Sequence, residues 1–223
     1  MQHNEGDALS AGEISTVEGL AAAISARKNN DRFMVAVAGP PGSGKTTISG
    51  LLQAELEGRY KLSAQVVPMD GFHLDDSILQ QRGLLPRKGA PQTFDVDGLN
   101  NILMRLTSTP AVDVLVPVFD RERELSRASA REISESVEVI LVEGNYLLLN
   151  MMPWSSLKQY FDLSVMIQCA KPVLRQRLMN RWLDLDFSQQ AARTKVEEND
   201  LPNAATVISQ SVKSDITFVG GTE

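Results

Sequence analysis

The period of the hydrophobic positions changes along the chain, and each change marks an element. Ile14, Val17, Leu20, Ala21 and Ile24 recur at helical spacing and predict an amphipathic helix over 13–28, ended by Asn29-Asn30-Asp31. The run FMVAVA, 33–38, is apolar without alternation, as in a strand buried on both faces of a parallel sheet. Further strands are expected over 65–69, 113–119, 137–142, 162–169 and 216–219. Helical patterns cover 46–57, 96–106, 172–183 and 189–211. Strands alternating with helices predict an α/β domain whose mainly parallel sheet is covered on both faces. Residues 70–97 stand apart as a long polar stretch broken by glycines, and a connection of that length is more often functional than idle.

The strongest local signal is GPPGSGKTT, from Gly39 through Pro40, Pro41, Gly42, Ser43, Gly44, Lys45 and Thr46 to Thr47. It fits G-x-x-x-x-G-K-[ST], follows a buried-strand pattern and opens a helical one, which is the context of a phosphate-binding P-loop. The glycines let backbone N–H groups wrap phosphate oxygens, and the following helix adds its positive end. Lys45 is expected on the β- and γ-phosphates of a nucleoside triphosphate and Thr46 on Mg²⁺. VEVILVEG ends in Glu143, placed beyond its apolar run to serve as the second metal-side acid. VVPMDGFH ends in Asp70, which suits either a turn before Gly71 or a carboxylate facing a substrate hydroxyl. The guanine motif N-K-x-D is absent, which disfavours a GTPase.

Composition narrows the setting. The 223 residues are 43% hydrophobic and 22% charged, a globular balance that excludes a disordered chain. A net charge of −6 argues against a general nucleic-acid or anionic-membrane binder. One cysteine excludes an internal disulfide framework, and no CxxC pair offers a zinc site. Residues 1–12 read as a loose polar tail and 13–223 as a single domain. The start lacks the basic and apolar regions of a signal peptide, and no apolar run approaches a membrane span, so a cytoplasmic protein is expected.

GPPGSGKTT, MDGFH, GAPQTFDVDGL, VPVFDR and VEGNYLLL, in this order, resemble the phosphoribulokinase/uridine kinase family of P-loop kinases, to which bacterial pantothenate kinase is related. PMDGFHLD, RGLLPRKGAP, RWLD and NDL-x-NA are most similar to its group provisionally named fructose-transport-system kinases. The resemblance implies a three-layer α/β/α P-loop fold with a helical lid over about 172–200. It implies ATP with Mg²⁺ as phosphoryl donor, a small-molecule acceptor, and an assembly that includes homodimers among relatives. It places the catalytic carboxylate at Asp70 and the acceptor region at His73, Arg87, Lys88, Phe94, Asp95, Asp120 and Arg121. Lid arginines that stabilise charge on the moving phosphoryl group map onto Arg175, Arg177 and Arg181, with Arg193 a weaker candidate. One departure is that Phe119 and Glu124 stand where uridine kinases carry a tyrosine and a histidine, which argues against a uridine acceptor. The alternative is a nucleotide-dependent regulatory switch without a small-molecule acceptor.

Four readings concern packing. Leu174, Leu178 and Trp182 form an i, i+4 stripe expected to face the core, and Trp154 and Tyr160 are expected to pack. Cys169 reads as a small core residue. Arg123, Arg127 and Arg131, spaced by four among glutamates, read as a solvated helix face.

Overall fold

The computed structural model describes residues 12–29 and 32–220, so all of the tail expected over 1–12 except Gly12 lies outside the described residues. Gly12 opens β1 (Gly12–Ile14), and the helix expected from 13 starts as α1 (Val17–Arg27). Thr16 causes the delay, because its hydroxyl caps the helix by accepting from the Gly19 amide. β2 (Phe33–Ala38) is followed by α2 (Lys45–Arg59), β3 (Ala64–Pro68), α3 (Asp76–Gln81) and α4 (Val96–Leu106). Next come β4 (Val114–Asp120), β5 (Leu125–Ile133), β6 (Val139–Gly144) and β7 (Leu163–Ile167). α5 (Lys171–Leu183), α6 (Gln189–Lys195), α7 (Leu201–Gln210) and β8 (Ile216–Phe218) complete the chain.

Six strands form one sheet in the order β1-β8-β7-β2-β6-β3, with every neighbouring pair parallel. The pleat sends Met34, Ala36 and Ala38 to one face and Phe33, Val35 and Val37 to the other, so β2 must be apolar throughout. The first face is covered by α4, α7 and the segment around Trp154, with Leu99, Leu103 and Leu106 fully buried. Each such leucine contributes roughly 1.5–3 kcal/mol of burial. The second face is covered by α1 and α2 through Leu20, Ile24, Leu52 and Leu56. The result is the three-layer α/β/α arrangement with a mainly parallel sheet. Trp154 is buried and Tyr160 packs against the same core, as expected.

Three expectations are corrected. The strand expected over 113–119 forms as β4 but leaves the sheet and pairs antiparallel with β5. β5 carries Arg127 and Arg131, so they lie on a strand, because a spacing of four keeps one face in both a helix and a strand. The helix expected over 189–211 divides into α6, a π-helical turn from Val196 to Asp200, and α7. The stretch 70–97 holds α3 and three short 3₁₀ turns.

Candidate active site

The loop joining β2 to α2 is held by steric need. A Cβ on Gly39 would sit 2.9 Å from the Ile167 carbonyl, and Gly42 and Gly44 have φ of 80° and 90°. Leu174 and Leu178 of α5 are buried, and Leu178 closes on Gly42. Within the loop the Lys45 Nζ donates to the Pro40 carbonyl at 3.1 Å. Lys45 is buried, and burial pushes its pKa below 10.5, with Glu143 and then Asp70 drawing it back. The buried Ser43 Oγ has no partner.

Parallel register carries two acids to the same rim. Glu143 pairs with Val37 on one side and Pro68 on the other, so it lies between the phosphate loop and the end of β3. Its carboxylate accepts from the Thr46 hydroxyl at 3.3 Å, and burial pushes its pKa above 4.5 against the pull of Lys45. Asp70 lies in the 3₁₀ turn from Met69 to Phe72 that follows β3, and it accepts from Arg121 Nη2 at 2.9 Å. That turn presses on the hairpin so closely that a Cβ on Gly71 would collide with the Pro117 carbonyl.

These groups line one cleft of about 600 Å³. Pro41, Gly42, Gly44, Lys45, Thr46 and Thr47 form one wall, and Asp70, Arg121 and Glu143 face them. Arg177 and Arg181 of α5 close a third side. A second hollow of about 540 Å³ lies behind the loop, walled by Ile48, Leu51, Ile167 and Phe218, with Arg177 lining both. An unpaired buried hydroxyl, a loop that only glycine permits and a buried ammonium suit a triphosphate. No group of three or more His, Cys, Asp or Glu that could hold a metal occurs among the described residues. One hydroxyl and one carboxylate match a Mg²⁺ that takes its remaining ligands from phosphate and water.

Several expected residues lie outside this cleft. Arg175 ion-pairs with Glu197 on the flank of α5. Asp95 caps α4 by accepting from the Gly98 amide. Asp120 accepts from the Glu122 and Arg123 amides and ion-pairs with Arg123 and Arg127. Arg87 donates to the Glu198 carbonyl and to Asn203. Lys88 Nζ donates to Asp76, to Glu124 Oε2 and to the Glu124 carbonyl. Phe94 is buried against His73, Tyr146 and Trp154. His73 binds the Asp70 carbonyl through Nδ1 at 2.8 Å, and burial lowers its pKa below 6.5. Cys169 lies past the end of β7, half-buried, with Sγ 3.9 Å from Arg177 Nη1, so it is not a core residue. Trp182 is half-buried, edge-to-face with Phe187 and bonded to Asp200, so the core-facing stripe ends at Leu178.

Glu124, Asn145, Asn180 and Asp184 also line the cleft and were not singled out as site residues. Asn180 was accessible to helical spacing, three residues after Arg177 on one face of α5.

Residues 34–185 match the Phosphoribulokinase / Uridine kinase family. The chain is 32% identical over 196 residues to the protein YggC of Escherichia coli, covering 87% of this chain and 81% of that one. It is 29% identical over 206 residues to the provisionally named uridine kinase C227.14 of Schizosaccharomyces pombe, covering 88% and 86%. A crystal structure from Silicibacter sp. TM1040, provisionally named a fructose transport system kinase, superimposes with a TM-score of 0.87 at 39% identity. That match covers 92% of this chain and all of the other.

Proposed function

We propose a reaction from one premise: the chain belongs to the Phosphoribulokinase / Uridine kinase family and is a P-loop kinase. The reaction is transfer of the γ-phosphoryl group of ATP to a hydroxyl of a sugar-like small molecule. The observation that carries it is the convergence of Lys45, Thr46, Glu143 and Asp70 in one cleft. Mg²⁺-bound ATP, when present, supplies the electrophilic phosphorus. Lys45 and the loop amides hold the phosphates, while Thr46 and Glu143 hold the metal. Asp70 accepts the proton of the acceptor hydroxyl, and Arg177 and Arg181 offset charge on the moving group. The hollow behind the loop, where Ile48, Leu51, Ile167 and Phe218 stand beside Ser15, Thr47 and Gln168, suits the base of the nucleotide.

Lys88 and the Arg87 guanidinium are engaged within the protein, so neither is free to hold an acceptor anion. Asp70 and Glu124 line the cleft, each paired with a base, Arg121 and Lys88, and carboxylates so placed suit the hydroxyls of a sugar-like acceptor. The switch alternative is not favoured by the family.

The test is ADP release from Mg-ATP with fructose, other sugars, sugar phosphates, pantothenate, glycerate and nucleosides, with Asp70→Asn as control. Stimulation by a neutral sugar, lost in the variant, is the expected result. Stimulation by an anionic acceptor alone overturns the choice of substrate class, and a rate that no acceptor changes counts against the kinase reading.

A further inference from the structure

The turn from Val196 to Asp200 is the one π-helical segment among the described residues, closed by the Leu201 amide on the Val196 carbonyl. Such wide turns inside helices recur at functional positions. Here, successive residues reach in opposite directions. Toward the acceptor side, Asn199 Nδ2 donates to the Lys88 carbonyl at 2.8 Å, and the Glu198 carbonyl accepts from Arg87 at 2.6 Å. Asn203 reinforces this by accepting from Arg87 and donating to Asn199. Toward α5, Asp200 accepts from Trp182 Nε1 at 2.6 Å, and Glu197 pairs with Arg175. Asn199, Asp200 and Asn203 are all buried, which shields their own bonds from water, while the Arg87–Glu198 and Arg175–Glu197 contacts lie at the surface.

Both ends of this connection reach the cleft. The Arg181 guanidinium lies 5.5 Å from the Trp182 ring centroid and lines the nucleotide side. Lys88 holds Glu124, which lines the opposite side. The polar chain therefore runs from the helix of the phosphate-stabilising arginines to the loop that shapes the acceptor side.

We propose that Asn199 is a positioning residue that couples the two sides of the cleft, so that nucleotide at the phosphate loop orders residues 84–90. By reciprocity, an acceptor that orders 84–90 tightens nucleotide binding. The Asn199 and Arg87 bonds hold residues 84–90 jointly, and with either one gone each side responds alone. The inference rests on the kinase reading.

Hydrogen–deuterium exchange of the full chain, with and without Mg²⁺ and the non-hydrolysable β,γ-imido analogue of ATP, tests it. In the wild type, exchange slows at 39–47 and, by about fivefold or more, at 84–90, the range expected for coupled sites. In Asn199→Ala, slowing at 39–47 persists and that at 84–90 disappears. Arg87→Met, which removes the parallel bonds, repeats the loss and carries the test if Asn199→Ala does not fold. Wild-type slowing at 39–47 without any at 84–90 overturns the coupling alone, as does full slowing at 84–90 in both variants. Absence of slowing at 39–47 overturns the kinase reading and the coupling with it.

Discussion

Arg121, at the tip of the antiparallel hairpin, donates to the Asp70 carboxylate at 2.9 Å across 51 residues of sequence. The pair is exposed on the arginine side, at 56%, and exposed ion pairs contribute only about 0–1 kcal/mol. It therefore orients Asp70 at little cost to exchange. An incoming hydroxyl can take the arginine's place on the carboxylate.

Asp70→Asn keeps the shape and an acceptor oxygen but cannot take up a proton. The expected outcome is a fall in kcat of about 10²–10⁴, the range for loss of a positioned base. Nucleotide Kd, read by fluorescence titration, stays within about threefold because the phosphate loop is untouched. Unchanged turnover would remove Asp70 from the chemistry.

Lys45→Met exchanges a buried ammonium for an apolar chain of similar length. Burial depresses the folded-state pKa, so the folded state binds the proton less tightly than the unfolded chain does. The cost is therefore full below the folded value and fades as pH rises from there to 10.5. The ligand-free variant should melt about 2–4 °C higher per kcal/mol of relieved cost. The gain should shrink in alkaline buffer, and nucleotide binding should be lost. Scanning calorimetry read beside nucleotide titration decides the matter, and a lower melting point at neutral pH refutes it.

Glu143→Gln bears the opposite sign with pH. Burial raises the folded pKa of Glu143 above 4.5, so its protonated form stabilises the fold at low pH and that contribution is lost as pH rises through the folded value. Glutamine mimics the protonated acid and still accepts from Thr46. The melting-temperature difference, variant minus wild type, should grow from pH 4.5 to neutrality. A difference that stays flat across that range contradicts the assignment. Mg²⁺-dependent nucleotide affinity should fall throughout.

Gly71→Ala tests the contact that places Asp70. The added methyl would collide with the Pro117 carbonyl oxygen and lie 2.7 Å from its carbon, both backbone atoms that cannot rotate aside. The expected destabilisation is about 1–3 kcal/mol, as for overpacking. Activity should fall further than stability, because Asp70 is the neighbouring residue. Denaturant unfolding beside steady-state rates separates the two effects, and wild-type behaviour in both would show that the hairpin does not seat against this turn.

Local patterns made much of the site legible. Residues 39–47 declare the phosphate loop because its glycines, lysine and threonine act within one turn. Glu143 and Asp70 were readable because a buried parallel strand announces its end by its first polar residue. The hairpin was not readable, since arginines four apart satisfy both helical and strand periods and β5 is exposed along most of its length. Nor was the bridge from Asn199 to Lys88, because its partners stand 111 residues apart and either asparagine alone resembles a surface residue. Helical spacing puts Arg177 and Arg181 on one face of α5 and Arg175 on the other flank, and the packing of Leu174 and Leu178 onto the phosphate loop decides which of the two faces the cleft.

Among the described residues, β4 and β5 pair with each other and with no strand of the parallel sheet. Val114, Val116 and Ile133 root the ribbon in the core, while Arg121 and Glu124 stand at its tip in the cleft. Descent can therefore rewrite the tip, by substitution or by change of length, without re-registering a strand beneath the phosphates. Such a scaffold can be re-addressed to new acceptors while its energy source stays fixed, and a combinatorial library confined to 121–124 is the natural way to exploit it.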